Sequence, residues 1–121
     1  MASELRVNTL KDAAGSNEVA MTYVAGGSAK AWHNGNAAGT SLLDSLNVSS
    51  IGDTNTGTQT VNLTSNMGNA QYQASSCVME NSTLLPRVYS ISTGSYVSAI
   101  RNTSATLTDA AQATAIHGDL A

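Results

Sequence analysis

Sixteen serines, two histidines and five aspartates supply the raw material for a nucleophile, a base and an orienting acid. With so many serines, chance matches to that triad are expected, and no Gly-x-Ser-x-Gly elbow marks one of them as activated. His33 follows Trp32 and precedes the turn pair Asn34-Gly35, which suggests a surface residue at a strand end. His117, at the end of the last expected strand, takes the same reading. No catalytic residue is assigned. Asp53-x-Asn55-x-Gly57 has the oxygen spacing that opens a calcium loop, but the twelfth position, where a glutamate is needed, is Thr64. The segment is therefore expected to be a hairpin turn. Gly26-Gly27-Ser28-Ala29-Lys30 lacks the glycine spacing and the Lys-Ser/Thr pair of a phosphate loop. Cys77 is the single cysteine, so no internal disulfide or Cys-x-x-Cys zinc site can form; a small buried strand residue is the expectation. Asn47, Asn62, Asn81 and Asn102 open Asn-x-Ser/Thr triplets, as eleven asparagines among thirty serines and threonines produce by chance. No metal or cofactor is expected.

Composition narrows the partners. Charged residues make up 11% of 121, and the five lysines and arginines are scattered from Arg6 to Arg101. No basic patch is present to neutralise phosphates, which argues against nucleic acid. No apolar run approaches the ~20 residues of a membrane-spanning helix, and no basic region followed by an apolar stretch suggests a secretory signal. Phe is absent and Trp32 is the one tryptophan, so alanine supplies much of the apolar content. Alanine buries far less area than the large side chains worth roughly 1.5–3 kcal/mol each. Such a chain gains by associating with copies of itself, and a homo-oligomer, most simply a trimer, is expected.

The elements that position these residues have period two. Leu5, Val7 and Thr9 alternate with Glu4, Arg6 and Asn8 as an extended arm, ended by Gly15-Ser16-Asn17. Leu5, Val7 and Leu10 are its candidate docking residues. Alternation returns from Glu18 to Val24 and again from Ala29 to His33. Ser45–Ile51 and Thr58–Ser65 form a hairpin around the turn formers 52–57, with β-branched threonines suited to a solvent face. Further strands are expected over Ala70–Met79, Arg87–Ser92, Ser95–Asn102 and Ala113–His117; a single helical turn could follow Thr108. Seven or eight short strands with turn signals every 8–12 residues predict an all-β, antiparallel sandwich, jelly-roll-like or barrel-like. The expected organisation is an arm over 1–17 and a β domain over 18–121. Trp32 and Tyr72 are its expected core anchors.

Five stretches carry a family resemblance: AKAWHNGN (29–36), SLNVSSIGDTNTGTQTVNLTSNM (45–67), NAQYQAS (69–75), the opening ASELRVNTLKDAAG (2–15) and the closing IHGDLA (116–121). Together they resemble a recurring domain of tailed-bacteriophage fibre and appendage proteins, the two end segments being similar to virion proteins of marine phages. Residues 80–112 fall outside the likeness. Where relatives carry aromatics after the tryptophan and in the hairpin, this chain has His33, Gly35 and Leu63. The resemblance implies a β-sandwich on the exterior of a virion, commonly trimeric, and no reaction.

The expected function is thus a structural virion protein, a short tail-fibre or tail-appendage subunit engaged in host attachment. A capsid decoration or head-fibre protein is the alternative within that class. A carbohydrate-binding module, from another class, would draw on few aromatics. Expected partners are further copies of the chain, other virion proteins and a host surface glycan or protein, with neither nucleic acid nor membrane insertion.

Overall fold

Strand register decides which side of each period-two stretch faces inward, and a computed structural model supplies it. The structure describes residues 3–79 and 83–121, so the triplet at Asn81 lies outside the described residues. In chain order the elements are β1 (Thr9–Lys11), β2 (Glu18–Ala20), α1 (Met21–Gly27), β3 (Ala29–Gly35), β4 (Leu42–Leu46), β5 (Val48–Asn55), β6 (Thr58–Leu63), β7 (Gln73–Val78), β8 (Leu85–Tyr89), β9 (Ser95–Arg101) and β10 (Gln112–His117).

Two four-stranded antiparallel sheets, ordered β4-β3-β10-β7 and β5-β6-β9-β8, face each other as a sandwich. The fold is all-β, as expected; β1 and β2 form a separate two-stranded ribbon ahead of it. Ala31, Val48, Val61, Leu63, Met67, Tyr72, Tyr96 and Ile116 make the apolar core. Tyr72 is the anchor expected of it: buried in that cluster, its hydroxyl donates to the Ser92 carbonyl at 2.9 Å.

Trp32 is not a core anchor. On β3 the buried phase is Ala31, His33 and Gly35, so Trp32 points outward, half-buried, paired with Ala115 of β10 and Leu46 of β4. Directly paired residues share a face of a sheet, and Leu46 is 48% exposed there. The same phase places His33 inside, with 1% of its surface exposed, and corrects its reading as a strand-end surface residue. Cys77, expected to be buried, is an exposed free thiol on the outward phase of β7.

The expected strand 45–51 is broken in two at Asn47, whose φ of 56° lies in the left-handed region that asparagine tolerates. There the chain leaves one sheet for the other. Asn47 fastens the corner to the end of β6, its Nδ2 donating to Ser65 O at 3.1 Å and its Oδ1 accepting from Ser65 N at 2.7 Å. The β5–β6 hairpin is longer than expected: the turn is only Thr56-Gly57, with Gly57 at φ 64°. The strand expected over 18–24 stops at Ala20, where ribbon pairing with Thr9 ends, and α1 follows. No helix forms after Thr108, because that segment is held open: Thr108 N donates to Ile100 O, and the Asp109 carboxylate accepts from Gly57 N.

Candidate functional site

Two places gather polar or unpaired groups: a band between the sheets, and the outer surface with the N-terminal ribbon. The band follows from register. Thr114 sits opposite His33 across β10–β3, and Gln112 opposite Gly35; on the facing sheet Gln59 sits opposite Ser98 and Val61 opposite Tyr96. Sandwich packing brings the rows together. His33 Nδ1 lies 2.7 Å from Thr114 Oγ1 and 3.2 Å from the Tyr96 hydroxyl, while Ser98 Oγ donates to Gln112 Oε1. His33, Gln59, Ser98, Gln112 and Thr114 are all buried. Three of their atoms, His33 Nε2, Gln59 Oε1 and Gln112 Nε2, have no protein hydrogen-bond partner.

Burial sets the electrostatics of this band. Desolvation of the imidazolium lowers the His33 pKa to about 4; Gln59, against the ring without closing a hydrogen bond, opposes that weakly. Burial likewise raises the Tyr96 hydroxyl to about 12. At neutral pH both are uncharged. A hydroxyl beside an imidazole is the start of a nucleophile–base pair, but Thr114 and His33 lie enclosed between the sheets, where a substrate cannot reach them. The band is a polar layer of the core. Sequence reasoning missed it, although strict alternation from Ala31 would have put His33 inside.

The surface is organised differently. On the outer face of the first sheet, Ser75 and Cys77 of β7 and Ala113 and Ala115 of β10 line a shallow depression of ≈ 220 Å³. On the outer face of the second sheet, the Arg87 guanidinium covers the Tyr89 ring at 4.2 Å, so that aromatic is not an open stacking platform. His117 accepts or donates at the end of β10, its Nδ1 3.2 Å from Gln73 Oε1. Among the described residues no group of three or more metal-ligating side chains gathers, and the Asp53–Gly57 segment is the hairpin end.

The candidate docking residues sit on and before the ribbon. Leu10 pairs with Val19 across β1–β2 and is 44% exposed, against 38% for Val19. Leu5 and Val7 precede β1, at 81% and 37% exposed. Val19 is the residue paired with Leu10, while Leu5 and Val7 stand ahead of the ribbon. The expected boundary at residue 17 falls in the turn between β1 and β2, and the part outside the sandwich runs on through α1, which buries none of its residues. Lys11 and Glu18 close the ribbon's other side with a 2.6 Å ion pair. The candidate site is this ribbon and the sheet surface, not a pocket. Comparison with protein families, curated proteins and solved structures finds no match for the chain.

Proposed function

We propose that the chain is a structural subunit of a bacteriophage virion, a short tail-fibre or tail-appendage subunit on the particle's exterior, without a catalytic role. It works as a homo-oligomer, most simply a trimer, and takes part in host attachment. One observation carries the reading beyond the family resemblance: the N-terminal part up to α1 leaves Leu5, Leu10, Val19 and Tyr23 exposed at 38% or more. An arm with an uncovered apolar side needs another protein to cover it; the sandwich encloses a core but also leaves Leu43, Leu46, Met79, Leu85 and Leu120 exposed. The covered Tyr89 ring leaves a carbohydrate-binding module with one aromatic platform fewer. A density map of the virion whose genome encodes the chain tests the proposal. The expected result is sandwich density on the tail with the arm ordered against a neighbour. Density on the capsid lattice would move the chain to the decoration class, and its absence from the purified particle would overturn the virion reading.

A further inference from the structure

The band between the sheets holds a histidine whose hydrogen bonds can be assigned proton by proton. His33 Nδ1 meets two hydroxyls, Thr114 Oγ1 at 2.7 Å and Tyr96 Oη at 3.2 Å, and those two also bond each other. Among the described residues neither hydroxyl has a further hydrogen-bond partner. With a bare Nδ1 the triangle closes: one hydroxyl donates to the nitrogen, and the second donates to the first. With a hydrogen on Nδ1 there is one proton more than the two oxygens can take in turn, and a buried hydroxyl proton is stranded. Stranding a buried donor costs its full desolvation. The neutral ring therefore carries its hydrogen on Nε2.

That Nε2 is buried without a partner, and so is the acceptor Gln59 Oε1. Gly35 shows that the two face each other. A Cβ on Gly35 would lie 2.8 Å from Gln59 Oε1 and 3.5 Å from His33 Cδ2, the ring carbon bonded to Nε2. The missing side chain lets the amide from β6 approach the ring from β3. Gln59 is also anchored there, its Nε2 donating to Asn36 O at 3.0 Å. His33 thus reaches Tyr96 of β9 with one nitrogen and turns the other toward Gln59 of β6, both on the opposite sheet.

We infer that His33 is an acid-operated latch between the two sheets, closed while the neutral ring accepts at Nδ1 from the Thr114–Tyr96 pair and donates from Nε2 to Gln59, and opened when a proton fills Nδ1. The protonated Nδ1 can only donate, so the hydroxyl that bonded to it loses its acceptor and a positive charge sits between the sheets. Nothing there offsets the charge. The facing residues are Ser45 of β4, Thr114 of β10, Tyr96 of β9 and Gln59 of β6, with Ile51 of β5 beside Gly35. Tyr96 is the one titratable group among them, and burial holds its proton up to about 12. Parting the seam lets water meet both the charge and the stranded hydroxyl, while the ladders within each sheet stay paired. Protonated histidines flip other interfaces in this way. A ring that binds its proton near pH 4 when enclosed and near 6.5 when wet shifts the closed-to-open ratio by up to roughly 300-fold between those values. The inference does not rest on the virion reading.

Three readouts on the full chain test it. In His117→Gln, which leaves His33 as the one histidine, two-bond ¹H–¹⁵N correlation at neutral pH should show Nε2 protonated and Nδ1 bare. The opposite tautomer, or an even mixture, overturns the inference. Between pH 6.5 and 4 the wild-type chain should bind the dye anilinonaphthalene sulfonate at least tenfold more strongly with its far-ultraviolet circular dichroism unchanged, as when sheets part without losing strands. His33→Gln should hold dye binding within about twofold over the same range. No rise in the wild type, or an equal rise in the variant, contradicts the latch. Gln59→Glu sets a carboxylate against Nε2–H and should raise the proton affinity of His33 at least tenfold, read from the ring ¹⁵N shifts against pH. Unchanged affinity in the folded variant contradicts the bond to Gln59; if that variant does not fold, the tautomer and the dye comparison decide.

Discussion

His33 shows how burial alone gives a residue a pH dependence. Its folded pKa of about 4 lies below the ordinary 6.5, so between those values the unfolded chain binds a proton that the folded chain refuses. Stability rises with pH wherever the unfolded state binds more protons. It is therefore complete above pH 6.5 and falls as pH drops toward 4. At about 1.4 kcal/mol per pKa unit, the loss is on the order of 3 kcal/mol. Urea unfolding at steps across this window checks it, with His33→Gln as the variant whose stability should be nearly flat there. Trp32 and Tyr72 make the complementary pair. Trp32→Ala empties an outer, half-buried position and should cost under about 1.5 kcal/mol, whereas Tyr72→Ala opens the core and should cost roughly 3–5 kcal/mol. Equal losses in denaturant unfolding would contradict the outward placement of Trp32. Residue identity hid these roles: a lone large aromatic suggests a core, and a histidine beside Asn-Gly suggests a surface. One position of phase along β3 reverses both.

At the scale of elements, most strands were legible because alternation and turn formers bracket them: the hairpin around Gly57, β7 around Cys77, and β9 and β10 near their expected bounds. What escaped was decided by contacts distant in sequence. Asn47 divides one expected strand between two sheets because Ser65, eighteen residues on, holds the corner. The segment after Thr108 could have turned into helix had Gly57 and Ile100 not bound it. Gly57 has a positive φ, and a Cβ there would lie 2.5 Å from the Thr108 carbonyl oxygen and 2.6 Å from its nitrogen. The nitrogen cannot move far without disturbing its bond to Ile100 O. Gly57→Ala should thus cost roughly 2–4 kcal/mol through backbone strain and overpacking. Gly52→Ala, on the same hairpin with open space around the added carbon, should stay within about 1 kcal/mol. Thermal unfolding of the two variants side by side separates a tight approach from a general need for glycine.

At the scale of the molecule, the proposed oligomer predicts that stability and assembly reside in different parts. The sandwich joins its sheets through the apolar cluster and the His33 band, all of it built from Ala31 onward. The ribbon's main element contacts are between β1 and β2 and between β2 and α1. Removing everything before Ser28 should leave the intramolecular stability of the sandwich intact, because no core residue is lost. It should abolish association, because the exposed apolar residues Leu5, Leu10, Val19 and Tyr23 go with it. The two effects separate by mass action. Binding that favours only the folded state makes the midpoint of unfolding rise with protein concentration. The full chain should show that rise between micromolar and hundreds of micromolar. The shortened chain should unfold at one temperature throughout, within about 3 °C of the full chain's low-concentration limit, a shift below the 4–8 °C that 1 kcal/mol produces in a domain of this size. A shortened chain that fails to fold would mean the ribbon supports the sandwich within one copy. A shortened chain whose midpoint still climbs with concentration would place the interface on the sandwich alone.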